Sequence, residues 1–213
     1  MYFFLITIFL CAAGFLVTKH TPARVRTRAS WQRLLAAFRF SAYRRYDLKT
    51  IRYQTPTLGV MVLLAIGFIF FTAMTLGPQP YYWPSTASFG DSPPLATRTG
   101  WMALAATPFL ILFASKANMI GTLTGVSHEK LIVFHTWLAW AVLALALLHT
   151  FPFIVYDYQQ GMMAEMWNTS FSYWTGVAAL LPQAYLTFMS VPWIRLDPAL
   201  TREASEVYGK TNS

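Results

Sequence analysis

The chain is short of charge. Asp, Glu, Lys and Arg make up 11% of its 213 residues, where a soluble domain carries about 25%. The deficit lies in long uncharged runs, which excludes an ordinary water-soluble globule. Cysteine is nearly absent: Cys11 stands alone, so no internal disulfide forms, and within an apolar run it reads as a small apolar filler. Acids number eight against sixteen bases. There is no internal repeat, no low-complexity tract and no glycine-rich loop of the kind that cradles phosphates.

What is present in abundance is apolar surface, 56% of residues. A bilayer core takes roughly 20 predominantly apolar residues per helix. Five stretches qualify: Tyr2 to Thr18, Leu58 to Leu76, Trp101 to Ser115, the run between Lys130 and Asp157, and Phe171 to Val191. The first and third are short and are expected to use snorkelling ends or a buried position. No acidic or basic residue lies inside any of these expected spans. The fold class is therefore all-α, a multi-pass transmembrane helical bundle with about five spanning helices. Residues 1–56 form an N-terminal helix plus a basic loop, 57–195 the main transmembrane region, and 196–213 a short polar tail. The first run is not a signal peptide, because positive charge follows it rather than preceding it.

Charge also sets an expected orientation. Lys19 to Arg52 hold ten bases and one acid, Asp47. If that loop is cytoplasmic, Lys116, Lys130, Arg195, Arg202 and Lys210 fall on the same side, and Arg98 alone faces outward. This is the positive-inside pattern, with the N-terminus outside and the C-terminus cytoplasmic. Within the basic loop, Trp31, Phe38, Phe40, Tyr43 and Tyr46 mark an amphipathic helix from about Ala29 to Tyr46 at the lipid surface. A lipid bilayer, not nucleic acid, is its partner. Asn168-Thr169-Ser170 is a glycosylation sequon on the outer side, close to the next helix and expected to go unused.

The fourth run carries His135 and His149. Fourteen residues at 100° each fall about 40° short of four full turns, so both imidazoles leave one face, separated by a rise of roughly 21 Å. Ala139, Val142 and Ala146 lie between them on that face, while Trp137, Trp140, Leu147 and Leu148 point elsewhere. Small side chains bracketed by two imidazoles leave clearance for a flat macrocycle beside an axial ligand. Two haems so held would make an electron path across the membrane. The plainer alternative is two buried histidines hydrogen-bonding across closely packed helices.

The residues around this helix carry a resemblance. Arg98-Thr99-Gly100-Trp101 opens the third run, and Thr124-Gly125-Val126-Ser127-His128-Glu129-Lys130-Leu131 leads into the fourth. His135 and then His149-Thr150-Phe151-Pro152-Phe153 follow, and Tyr173-Trp174-Thr175-Gly176-Val177 opens the fifth. From about 98 to 195 the chain resembles the transmembrane region of fungal ferric-chelate reductases, relatives of the NADPH oxidases. The resemblance implies that His135 and His149 each give one axial ligand to a b-type haem, so that two haem b groups are half-ligated by this chain. It implies electrons passing from NADPH through FAD and both haems to ferric chelates at the outer face of the plasma membrane.

Departures from that pattern matter as much. The family's second histidine pair, on a later helix, is missing: after Trp193-Ile194-Arg195 the sequence turns to Leu196-Asp197-Pro198 and ends without another histidine. Flavin and NADPH domains are missing too. The Arg common just after the family's first histidine and the Gly-Arg pair a few residues on read Thr136, Ala139 and Trp140 here, which leaves haem propionates without their usual cations. His20 and His128 are poor substitutes for the absent pair, His128 lying roughly 10 Å farther out along any helix. The expectation is a truncated product. Three functions follow: part of a ferric-chelate reductase; a haem-binding subunit completed by a homodimer or a full-length reductase partner; and a haem-free membrane protein with a structural or regulatory role. A transporter fits less well, since no carboxylate accompanies the histidines in a span.

Overall fold

The computed structural model describes residues 2–48, 53–82, 92–116 and 119–190. The tail expected at 196–213, with Arg202 and Lys210, lies outside the described residues, as do Arg195, Lys49 and Arg52. The described elements are α1 (Tyr2–His20), α2 (Ala23–Arg26), α3 (Ala29–Tyr43), β1 (Asp47–Leu48), β2 (Tyr53–Gln54), α4 (Leu58–Leu76), α5 (Pro94–Ala114), α6 (Met119–Thr124), α7 (His128–Gln159), α8 (Met163–Thr169) and α9 (Phe171–Met189). The two strands form only a two-residue antiparallel ladder, Asp47 opposite Gln54.

Among the described residues α1, α4, α5 and α7 are long and apolar enough to cross a membrane. The expected fifth span forms as α9, 19 residues long, but Ser172, Thr175, Pro182, Gln183 and Thr187 dilute its apolar character. The architecture is a multi-pass helical bundle. It divides into two compact units, Met1–His149 and Thr150–Ser213.

Two helices outrun their hydropathy. The third was expected from Trp101, but α5 begins at Pro94. Proline suits the first helical position, where its missing N–H costs nothing, and polar residues can continue a helix that apolarity alone would not mark. Arg98 therefore lies inside a helix. Likewise α7 runs 32 residues, about 48 Å, and takes in Asp157, which is only 6% exposed and lies beside the Tyr173 phenol. The expected spans themselves stay free of charge; the helices run past their ends, so that Arg98 and Asp157 fall in helix beyond the apolar stretch.

In the first unit α1 packs through rings. Phe4 stacks on Phe109 with centroids 4.5 Å apart, and Phe3 on Phe70 at 4.6 Å. The buried core beneath them is Ala106, Phe109, Phe113, Ile120, Leu131, Leu138 and Val142. The short α6 docks under α1 because Gly125, just beyond it, takes φ +68° and has no side chain: a Cβ there would stand 2.5 Å from the Phe15 ring. The amphipathic helix expected from Ala29 forms as α3 and ends at Tyr43. It exposes Leu34, Phe38 and Phe40, lays Ala42 against Gly59 of α4, and receives the Lys130 ammonium over the Tyr43 ring at 4.2 Å. In the second unit α8 meets α9 through Trp167 and Tyr173, edge to face at 6.1 Å.

Candidate functional site

The two histidines of α7 are tied to α5. His135 Nδ1 donates to the Leu110 carbonyl at 2.8 Å, and His149 Nδ1 donates to the Ala96 carbonyl at 2.7 Å. The acceptors, like the donors, are fourteen residues apart, and the later acceptor serves the earlier histidine. Thus α5 and α7 run antiparallel in matched register, with one imidazole clamp near each end. A carbonyl can only accept, so the proton sits on Nδ1. In the neutral ring Nε2 then carries the basic lone pair, the usual state of a metal-binding imidazole.

Such close approach needs small residues on α5. Ala96 and Thr99 are fully buried and Ala106 is 1% exposed. Gly100 sits directly against the imidazole: a Cβ there would lie 2.5 Å from His149 Nδ1 and 2.8 Å from its Cε1. Thr99 returns its hydroxyl to its own helix, donating to Leu95 O and Ala96 O at 2.9 and 3.0 Å, so it leaves no unpaired polar group in the interface. On α7, Val142 between the histidines is 5% exposed and belongs to the core, while Ala139 and Ala146 are half-buried.

Two further residues were underrated in the sequence. Arg98, read there as an outer-loop cation, stands on α5 between Ala96 and Gly100. Its Nη2 donates to Thr75 O of α4 at 3.0 Å, and its Nε is buried without a partner. The paired prolines at 93 and 94, a helix start, were the signal for this placement. His128 begins α7, seven residues before His135 and about 20° from it around the helix, and its Nδ1 is also buried without a partner. The seven-residue recurrence 128, 135, 149 was the signal there. His20 ends α1 and is exposed. Among the described residues no group of three or more His, Cys, Asp or Glu is placed to hold a metal ion.

Comparison with known proteins finds relatives along most of the chain. Residues 99–199 match the family model described as "Ferric reductase like transmembrane component". The chain is 34% identical over 200 residues to the "Probable cell surface ferric reductase kap2" of Aspergillus oryzae, covering 89% of this chain and 26% of that protein. It is 29% identical over 191 residues to the "Ferric/cupric reductase transmembrane component 7" of Saccharomyces cerevisiae, covering 87% of this chain and 29% of the relative. With "Ferric/cupric reductase transmembrane component 1" of Candida albicans the identity is 25% over 159 residues, 74% of this chain and 20% of the relative. The chain thus spans between a fifth and a third of the length of these relatives. No solved structure matches it. The chain belongs to the ferric reductase-like transmembrane family, and the matched segment takes in most of α5 and both α7 histidines.

Proposed function

We propose that this chain is the haem-side transmembrane part of a b-type ferric-chelate reductase, with His135 and His149 each supplying one axial ligand to a haem. The observation that carries the reading is the pair of matched clamps from Nδ1 to Leu110 O and Ala96 O. They hold each ring's plane and tautomer and make Nε2 the basic nitrogen, as a haem-iron ligand requires. The donor set fits one axial position per haem. Arg98 adds to the fit at the His149 end, where its buried, unpartnered Nε–H is a donor suited to a carboxylate such as a haem propionate. The second ligand of each haem comes from outside the described residues.

Haem b, when bound, takes and passes single electrons. This chain's part is to orient the two rings about 21 Å apart along α7 and to keep water from them with the packed α5 face. Electrons enter from an NADPH- and FAD-binding partner or domain and leave to ferric chelate. The basic segment from Lys19 to Arg45 supports a cytoplasmic placement of the α1–α4 connection. The cell-surface description of the Aspergillus relative supports the plasma membrane.

The test is a dithionite-reduced minus oxidised spectrum of the chain, expressed with haem in a membrane that also holds a reductase partner. Sharp b-type bands should appear, with one component lost in His135→Ala and another in His149→Ala. Bands unaffected by either substitution, or absent throughout, overturn the assignment.

A further inference from the structure

The first unit holds a cavity of about 430 Å³ that the histidine site does not use. Its walls come from α1, α4, α5, α6 and α7, with Cys11, Phe68, Phe113, Ile120, Leu131 and Ala144 among them. Neither His135 nor His149 lines it. From Leu131 to Ala144 it follows α7 for thirteen residues, about 20 Å, which is longer than the roughly 15 Å of hydrocarbon in one leaflet, half of the core.

The lining has almost nothing to offer a polar ligand. Thr7 and Thr124 turn their hydroxyls back to Phe3 O at 2.9 Å and Ile120 O at 2.6 Å. An apolar cavity without hydrogen-bonding partners does not hold water, and an empty one forfeits the dispersion contacts of its walls. In a bilayer the available apolar filler is an acyl chain.

One end of the cavity is basic. Lys130 adjoins the lining residue Leu131 and holds its ammonium over Tyr43. Lys19 stands over the Phe15 ring, 5.8 Å from its centroid, and that ring packs on Gly125 between the lining residues Thr124 and Val126. Both lysines therefore belong to the segments that meet at the Val126–Leu131 end, each ammonium resting on an aromatic ring beside it. The acids in these segments are Asp47 and Glu129, against ten bases between Lys19 and Arg52. We infer that the cavity is a binding site for one anionic phospholipid, its acyl chain lying along α7 from Leu131 toward Ala144 and its phosphate held at Lys19 and Lys130.

The chain is purified in mild detergent and its bound lipid read by native mass spectrometry. It is then exchanged into vesicles holding trace phosphatidylserine or phosphatidylcholine with a photoreactive acyl chain. One phospholipid per chain should survive purification. Crosslinks should map to α1 and α7 around Cys11 and Ala141, favouring phosphatidylserine severalfold. Ala141→Phe should abolish the retained lipid. Cys11→Phe fills the same space from the opposite wall and serves if the first variant misfolds. The double variant Lys19→Gln, Lys130→Gln should keep the crosslink and lose the headgroup preference. A retained sterol, a dimer without lipid, equal crosslinking of both headgroups, or lipid retention unchanged by both filling variants overturns the proposal.

Discussion

Gly100 offers the sharpest test of the α5–α7 clamp. Adding a Cβ there would place it 2.5 Å from His149 Nδ1, 2.8 Å from Cε1 and 3.2 Å from Cγ. These are distances at which something must shift. The imidazole cannot yield freely, because its Nδ1 is held by Ala96 O at 2.7 Å. Gly100→Ala therefore either forces the helices apart or breaks that hydrogen bond. Overpacking of this sort costs about 1–3 kcal/mol and a lost hydrogen bond about 0.5–1.5 kcal/mol, so a destabilisation of about 1–3 kcal/mol is expected by whichever route. Gly14→Ala is the control: nothing stands within 4 Å of its added Cβ, and inside α1 the change should stabilise by roughly 0.5–1 kcal/mol. The assay is reversible unfolding in detergent, with ¹⁵N-imidazole chemical shifts reporting the His149 tautomer. Combining Gly100→Ala with His149→Ala should remove most of the glycine penalty, because the clashing ring is gone. Gly100→Ala with wild-type stability and an unchanged His149 tautomer would refute the clamp as described. A fully additive double variant would refute the clash as its cause.

Other outcomes follow from the same geometry. His128→Leu should be neutral or stabilising by up to about 1–3 kcal/mol, since it removes a buried nitrogen that has no partner; a large loss of stability would mean that nitrogen is satisfied. Gly125→Ala meets both a left-handed backbone and the Phe15 ring, while Gly161→Ala meets only φ +70° in open space. The first should cost about 2–4 kcal/mol and the second about 1–2 kcal/mol, measured as shifts in unfolding midpoint. Arg98→Gln should loosen the α4–α5 contact by roughly 1.5–3 kcal/mol through the lost charged hydrogen bond to Thr75 O. The same variant should weaken the His149-dependent band more than the His135-dependent one.

The sequence by itself determined the membrane class, because long uncharged runs have no other stable burial. It located α4 to the residue, since an all-round apolar run between Thr57 and Gly77 leaves little latitude. It also put His135 and His149 on one face of one helix, because helical periodicity is local. The resemblance it carried is the family that comparison then showed. It misjudged α5, where hydropathy stops at Arg98 but the helix starts at Pro94, because backbone hydrogen bonding continues where apolarity ends. For the same reason α7 continues past the uncharged run, through Asp157 to Gln159. What only the tertiary structure decided is what the imidazoles face. That Leu110 O and Ala96 O are their acceptors, that Gly100 is the gap His149 occupies, and that Arg98 and His128 each bury an unpartnered nitrogen depend on the register between helices. Register is set by the packing of many small side chains at once, and no single stretch of sequence encodes it.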